Sequence, residues 1–163
     1  MCGFIGSFSK LNIDPDLVDE ANHHLICRGP DQKTNFQGTT REQLNMNLDL
    51  NFSFIFNRLS IIDLSDLANQ PMLSNHFGNL IMFNGEVFNH DSLRKSLELK
   101  NITFTTDHSD TEVVLNGLSD QGLSFLDKIV GQFSIFFLDS KNHKAYLIRD
   151  RLGQKPLFYY KDN

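Results

Sequence analysis

The alternation of hydrophobic and polar residues predicts a chain built mainly from short strands. Residues 3–8 are apolar enough for a buried strand, whereas several later runs alternate as half-buried strands do. These later strands are predicted over residues 46–56 with a break near Asn51, 58–62, 80–83, 102–106, 132–138, 145–148 and 155–160. The run 80–83 leads into Asn84-Gly85, a dipeptide typical of tight turns.

Other stretches have the spacing and end signals of helices. The first is predicted to begin with Asp14 as N-cap and Pro15 at the first helical position, and to end near Cys27. Residues 109–112, Ser-Asp-Thr-Glu, match a capping box ahead of an apolar run and predict a second helix start. Two more helices are predicted over residues 91–99 and 122–129. Many strands and about four helices in 163 residues predict one α+β domain of antiparallel hairpins packed on helices.

Composition and charge exclude several classes of protein. The net charge is −5 and no basic cluster occurs, which argues against nucleic acid or an anionic membrane as the main partner. Two cysteines are too few for a disulfide scaffold, and no Cys/His spacing indicates a metal site. No secretory signal or membrane-length apolar run is present, so a soluble cytoplasmic protein is expected. Nothing in the sequence predicts the oligomeric state.

Cys2 is the first candidate for chemistry, because it directly follows Met1. If Met1 is removed, Cys2 carries a nucleophilic thiol and a free α-amine on one carbon, so the amine can act as the general base. Taken alone, a cysteine at the second position is more simply an accident of position.

Four other positions are weak candidates singly and consistent together. Asn84-Gly85 is ordinarily a turn, Asp110 a first-turn acid that complements the helix dipole, and Arg58 and Glu86 solvated charges. Together with Cys2 they supply a thiol, a guanidinium, an amide and two carboxylates.

Eight segments, in order, carry a resemblance to a known family. They are MCGFIG, CRGPD, RLSIID, NQPM, FNGEVFNH, SDTE, GQFSIFFLD and RDRLGQKPLFYY. The set resembles the glutaminase domain of glutamine-hydrolysing asparagine synthetases, which are class II glutamine amidotransferases and N-terminal-nucleophile (Ntn) hydrolases. The resemblance spans essentially the whole chain and implies a four-layer αββα sandwich with two antiparallel sheets between helical layers.

The resemblance also implies catalytic roles. Cys2, freed of Met1, would attack the side-chain amide of glutamine, and its α-amine would carry the thiol proton to the leaving ammonia. The side chain of Asn84 and the backbone N–H of Gly85 would form the oxyanion hole, where each preorganised donor contributes roughly 10²–10³ in rate.

Substrate recognition is implied in the same way. Arg58 would pair with the α-carboxylate of glutamine, and Asp110 with Glu86 would hold its α-ammonium. Asn84 and Gly85 would also contact the substrate, and the remaining wall of the pocket would come from the backbone of the predicted strand, Leu59, Ser60, Ile61 and Ile62.

The chain departs from the family pattern at its C-terminal end. The family continues past the point that matches Tyr160 and adds a synthetase domain with a Gly-rich phosphate loop. We therefore expect a C-terminally truncated glutaminase domain over residues 1–163, with an exposed sheet edge. The domain itself is expected to need no metal or other cofactor, since ATP and magnesium belong to the absent synthetase domain.

Three hypotheses follow from these residues. The first is a glutaminase whose ammonia passes to a synthetase domain or subunit for asparagine-type amidation of aspartate. The second is a non-catalytic binding or scaffold module of the same fold, and the third is an Ntn amidase acting on another amide. Cys2, Arg58, Asn84 and Asp110 favour the first, because together they suit a free α-amino acid with a side-chain amide.

Overall fold

Two antiparallel sheets form the centre of the protein in the computed structural model, which describes residues 2–44 and 46–162. The first sheet has the order β1-β3-β2, with β1 Gly3–Ser9, β2 Gln32–Thr39 and β3 Asn51–Arg58. The second has the order β4-β5-β6-β7, with β4 Met72–Leu73, β5 Leu80–Val87, β6 Gly131–Asp139 and β7 Lys144–Arg149. The mixed helix and sheet content confirms the predicted α+β class.

Four α-helices accompany the sheets in the described chain. They are α1 Pro15–His23, α2 Thr40–Leu44, α3 His90–Glu98 and α4 Asp110–Gln121, and short 3-10 helices cover Ile26–Arg28, Asp66–Ala68 and Gly122–Lys128. The side chain of Asp14 caps α1 by accepting the N–H of Asp16, as predicted. None of the described helices is long and apolar enough to cross a membrane.

An inter-sheet core joins the two sheets. Because strand side chains alternate between faces, every second residue of β3, β5 and β6 contributes to one cluster. Its buried members are Leu44, Phe52, Phe54, Phe56, Leu80, Met82, Phe136 and Leu138, and Cys2 and Phe4 pack against it. The start of the chain is therefore held against the interior of the protein.

A second core covers the opposite face of the four-stranded sheet. There the odd-numbered residues of β5 and β6 pack against α3 and α4, including Ile81, Phe83 and Ile135 from the strands and Leu97 and Leu115 from the helices. On the first sheet, α1 contacts β1 and β3. The buried Asn57 of β3 donates from Nδ2 to Asn22 Oδ1 of α1 at 2.6 Å.

The prediction of a turn at Asn84-Gly85 is wrong, because β5 continues through both residues to Val87. Gly85 instead allows the backbones of β5 and β6 to approach each other closely. A Cβ on Gly85 would lie 2.3 Å from the carbonyl oxygen of Gln132 on β6. Glycine is needed for the packing of two backbones at this point, and no turn is involved.

Three other predicted strands are irregular backbone. Residues 59–62 form a loop after β3, residues 102–106 form a connection, and residues 155–160 belong to no strand of the described chain. In the connection, the N–H groups of Thr105 and Thr106 bond to the carboxylate of Glu112, which replaces a strand partner.

The ends and starts of some elements also differ from the prediction. The first helix ends at His23 rather than near Cys27, and the residues between are a turn and a 3-10 helix. Strand β3 is one continuous element that begins at Asn51. Strand β2 and helix α2 were not predicted, because polar side chains dominate both faces of β2 and α2 has only five residues.

Candidate active site

A cavity of about 320 Å³ opens between the start of β1, the loop after β3, one edge of β5 and the start of α4. All the residues predicted for the site line it: Cys2, Arg58, Leu59, Ser60, Ile61, Ile62, Asn84, Gly85, Glu86 and Asp110. The structure therefore brings together groups that lie more than a hundred residues apart in the chain. It does not test the roles assigned to them.

The thiol of Cys2 lies at one wall of this cavity. The register of β1 on β3 pairs Gly3 with Asn57, so Cys2 lies beside the end of β3 and the loop that follows. Its Sγ accepts the backbone N–H of Leu59 at 3.4 Å and lies 3.7 Å from the carbonyl oxygen of Leu59. The carbonyl of Cys2 accepts a hydrogen bond from Arg28 Nε at 3.3 Å. The thiol and the carbonyl group of Cys2 are thus both held by contacts with the protein.

The opposite wall is an edge of β5 that no strand covers. Strand β4 pairs only with Leu80 and Ile81, and beyond them side chains replace strand partners. The N–H of Phe83 donates to Gln70 Oε1 at 2.6 Å and the N–H of Val87 to Asp110 Oδ2 at 3.0 Å. Because every second N–H of a strand faces the same edge, the N–H of Gly85 is directed between these two toward the cavity.

Asn84 lies on the same strand, and its side chain projects from the face of β5 that is directed to the inter-sheet core. It is only 5% exposed, and its Oδ1 is enclosed without a hydrogen-bond partner. Since it also lines the cavity, the amide stands where the inter-sheet core meets open space. A side-chain amide and the adjacent backbone N–H of Gly85 are the kind of donor pair that can stabilise an oxyanion.

Asp110 lies at the first position of α4, directly after the N-cap Ser109. The hydroxyl of Ser109 accepts the N–H of Glu112 at 3.3 Å, which confirms the helix start. The reciprocal bond of a capping box is absent here, because the carboxylate of Glu112 bonds to Thr105 and Thr106 instead. Asp110 is only 6% exposed, so its carboxylate is turned into the protein.

Burial dominates the acid–base behaviour of Asp110. It raises the pKa of the carboxyl above 3.8, although the N–H of Val87 and the nearby His90 act in the opposite direction. A buried carboxylate gains most from a cation placed beside it. The site thus favours a ligand that brings a positive charge to Asp110.

The guanidinium of Arg58 organises the loop after β3. Nη1 donates to the carbonyl of Ser65 at 2.8 Å and to Asn69 Oδ1 at 2.7 Å, and Nη2 donates to the carbonyl of Asp63. These bonds use three of the five guanidinium N–H groups. The Nε–H and one Nη2–H make none of these bonds to the described residues and can serve a further partner such as a carboxylate. Arg58 therefore has a structural role beside the predicted one.

Eight residues that line the cavity were not predicted as site residues, and Gln70 and Lys155 are two of them. Gln70 covers the edge of β5 through both its amide atoms, with Nε2 donating to the carbonyl of Phe83 at 3.2 Å. Lys155 is 7% exposed and also lines the cavity. Both occur in segments that carry the family resemblance, NQPM and RDRLGQKPLFYY, and membership of such a segment was the only available signal.

The turn that carries Lys155 is built on Asp150. Its carboxylate accepts the N–H groups of Leu152 at 3.1 Å, Gln154 at 2.9 Å, Lys155 at 3.0 Å and Phe133 at 3.2 Å. Burial alone raises the pKa of Asp150, but these backbone donors outweigh it and hold the pKa below 3.8.

Among the described residues, no group of three or more His, Cys, Asp or Glu side chains is arranged to hold a metal ion.

Comparison with known proteins agrees with this geometry. A family model described as "Glutamine amidotransferase domain" matches residues 1–163. Asparagine synthetase [glutamine-hydrolyzing] 2 of Bacillus subtilis is 36% identical over 159 residues, which cover 98% of this chain and 20% of that protein. Asparagine synthetase [glutamine-hydrolyzing] 1 of the same organism is 35% identical over 164 residues, covering 98% and 24%. The corresponding protein of Brassica oleracea is 31% identical over 162 residues, covering 97% and 25%. The chain thus spans a fifth to a quarter of the length of these relatives.

Proposed function

The chain belongs to the glutamine amidotransferase domain family, and we propose that it hydrolyses glutamine to glutamate and ammonia with Cys2 as the nucleophile. The observation that carries this proposal is the shared cavity of Cys2, Arg58, Asn84, Gly85 and Asp110. It contains a nucleophile, two oxyanion donors and a charged group for each end of a free amino acid.

The proposed reaction proceeds through a thioester. Loss of Met1, which lies outside the described residues, gives Cys2 a free α-amine that accepts the thiol proton. The sulfur then attacks the side-chain carbonyl carbon of glutamine, and the oxyanion that forms accepts hydrogen bonds from Asn84 Nδ2 and the N–H of Gly85. The C–N bond breaks as the α-ammonium of Cys2 protonates the departing ammonia. Water then attacks the thioester with the same amine as base, which releases glutamate and restores the thiol.

The two charged ends of glutamine are proposed to bind as the first hypothesis expects. The α-carboxylate takes the remaining N–H groups of the Arg58 guanidinium, and the α-ammonium lies beside Asp110 and Glu86. Leu59, Ser60, Ile61 and Ile62 belong to the loop that Arg58 braces, so the same contacts shape the pocket wall. A peptide lacks these free ends and should be excluded.

We further propose that the fold is the four-layer αββα arrangement of Ntn hydrolases. The inter-sheet core, the packing of α3 and α4 on one sheet and the contacts of α1 with the other support it. The ammonia is proposed to serve asparagine-type amidation of aspartate by a synthetase domain or subunit in the cytoplasm. ATP and magnesium would act there, and glutamine hydrolysis itself requires neither.

The proposal is tested by glutamate release from glutamine. We expect the wild-type protein to release glutamate and Cys2→Ala to lose the activity, because the attacking sulfur is gone. Cys27→Ala is the matched control, since Cys27 is exposed and does not line the cavity. Glutamine that is not hydrolysed and does not raise the melting temperature would instead support the non-catalytic binding or scaffold module. Turnover of another amide with glutamine inert would support the third hypothesis.

A further inference from the structure

Two buried polar atoms on neighbouring strands lack a hydrogen-bond partner among the residues that the structure describes. One is Oδ1 of Asn84 on β5 and the other is Oγ of Ser134 on β6. Asn84 is 5% exposed and Ser134 is 1% exposed, so bulk water does not satisfy either atom. Buried polar groups without a partner are costly and uncommon, and two of them on adjacent strands require an explanation.

The strand register puts the two residues opposite each other. Asn84 and Ser134 are directly paired across the antiparallel β5–β6 ladder. Paired residues of this kind direct their side chains to the same face, with Cβ atoms about 4.5–5.5 Å apart. That face is the inter-sheet one, because Met82 and Phe136, two positions further along each strand, belong to the inter-sheet core. The hydroxyl and the amide thus share the end of the core that meets the cavity.

Between the two unpartnered atoms, Asn84 Oδ1 and Ser134 Oγ, a hydrogen bond has one possible direction. The amide oxygen of asparagine accepts, whereas a serine hydroxyl can donate. We infer that Ser134 Oγ–H donates to Asn84 Oδ1, through a change of its χ1 rotamer or one bridging water, and so holds Asn84 Nδ2 toward the cavity. This inference rests on the proposed function, in which Nδ2 is an oxyanion donor.

The bond matters because an amide has two nearly isosteric ends. Turned about χ2, Asn84 would present its oxygen to the developing oxyanion, and repulsion would replace stabilisation. When Oδ1 accepts from Ser134, Nδ2 is the end of the amide that faces the cavity before the substrate arrives, which is the preorganisation that oxyanion stabilisation needs. Ser134 is therefore a positioning residue: it acts through Asn84 and touches no reacting atom.

The first test separates catalysis from binding. Ser134→Ala should lower kcat about tenfold and leave the KM for glutamine within about twofold, since only a transition-state contact is loosened. Ser134→Cys keeps the size and a weak donor and should retain more activity than the alanine variant. Ser53→Ala is the matched control: Ser53 is 4% exposed on β3 and lies outside the catalytic cavity, so kcat should not change.

The second test asks whether the effect passes through Asn84. In an Asn84→Ala background, Ser134→Ala should cause no further loss of kcat. An equal loss in both backgrounds, or a loss that Ser53→Ala reproduces, would overturn the inference.

A third measurement does not depend on activity. The side-chain amide resonances of Asn84 in ¹⁵N-labelled protein should shift in Ser134→Ala and remain in place in Ser53→Ala. An unchanged resonance would overturn the contact, even in an active enzyme. A wild-type protein that releases no glutamate would overturn the proposed function, and the resonance would then decide the Ser134–Asn84 contact by itself.

Discussion

At the scale of single residues, the site contains positions at which the surrounding atoms restrict which side chain can be present. Gly85 directs an N–H into the cavity while β6 passes within 2.3 Å of where its Cβ would be. Asp110 combines burial with a bond to the N–H of Val87. The close packing at Gly85 and the burial of the Asp110 carboxylate can each be tested by a substitution that leaves the rest of the site unchanged.

Gly85→Ala is expected to force β5 away from β6, because its Cβ would also lie 2.7 Å from Phe133 Cα. We expect a loss of about 1–3 kcal/mol in the free energy of unfolding, as for other overpacked positions, together with loss of glutamate release. Gly78→Ala is the comparison: it has no atom within 4 Å but a φ of +67°, so it should cost about 1–2 kcal/mol and leave kcat unchanged. Normal activity and an unchanged free energy of unfolding in Gly85→Ala would contradict the close approach of β6 at this position.

Asp110→Asn tests the ammonium site. The amide keeps an acceptor for the N–H of Val87 but loses the negative charge. We expect the KM for glutamine to rise about tenfold or more, which corresponds to at least ~1.4 kcal/mol of lost charge interaction. In the wild type, KM should rise as the pH falls through the pKa of Asp110, which burial places above 3.8. A KM that is independent of pH in the wild type would contradict the role.

The stability of the same variant follows from the direction of the shift. The folded protein holds the Asp110 proton more tightly than the unfolded chain does, because burial raises its pKa. The contribution of Asp110 to wild-type stability should therefore decrease as the pH rises from about 3.8 through its folded-state pKa. Asp110→Asn lacks this decrease, so at neutral pH and without glutamine it should melt at or above the wild-type temperature. A clear fall in its melting temperature would mean that the charge stabilises the fold.

At the scale of elements, the loop after β3 connects Arg58 to Cys2, the residues proposed for substrate recognition and nucleophilic attack. Arg58 bonds to the carbonyls of Asp63 and Ser65, and the N–H of Leu59 in the same loop points at the sulfur of Cys2. The loop exposes Ile61, Leu64 and Leu67, so its own apolar contacts hold it weakly. The polar contacts of Arg58 thus carry much of its order.

Arg58→Lys tests this connection, because lysine keeps the charge but not the planar fork of donors. Each lost bond to the loop contributes about 1–3 kcal/mol. Amide hydrogen exchange of residues 59–69 should therefore accelerate about tenfold or more, while exchange in β5 and β6 stays unchanged. The KM for glutamine should rise as well. Unchanged exchange in the loop would limit Arg58 to substrate binding.

The elements also show what a single sequence can and cannot predict. Helix α4 was predictable because Ser109 and the apolar run behind it are local signals. Strand β5 was cut short at Asn84-Gly85, because the reason for that glycine is the backbone of β6, about fifty residues away in the chain. Strand β2 was missed because its own polar side chains do not indicate a strand. It is a strand because it pairs with β3.

The candidate site was found for a different reason. No local pattern identifies Cys2, Arg58 and Asp110 as neighbours, and only the ordered resemblance to a family related them. Gln70 was quoted within that resemblance without a role, because its bonds to the N–H and carbonyl of Phe83 depend on folding.

At the scale of the whole molecule, the two sheets explain why one cavity collects these groups. The inter-sheet core anchors the start of the chain, and the open edge of β5 adds donors from the facing sheet. Cys2 thus comes from one sheet and Asn84 and Gly85 from the other, so the proposed chemistry requires correct packing of the two sheets. The chain corresponds to a fifth to a quarter of its synthetase relatives, and glutamine hydrolysis is the part of their chemistry that we propose for this cavity.

The most direct measurement is mass mapping after reaction with a glutamine analogue that carries an electrophilic carbon in place of the side-chain amide. The account predicts one adduct per chain, on a Cys2 that has lost Met1, with Cys27 unmodified and with glutamine protecting against the reaction. Preferential labelling of the exposed Cys27, or a labelled Cys2 that still carries Met1, would contradict the N-terminal nucleophile.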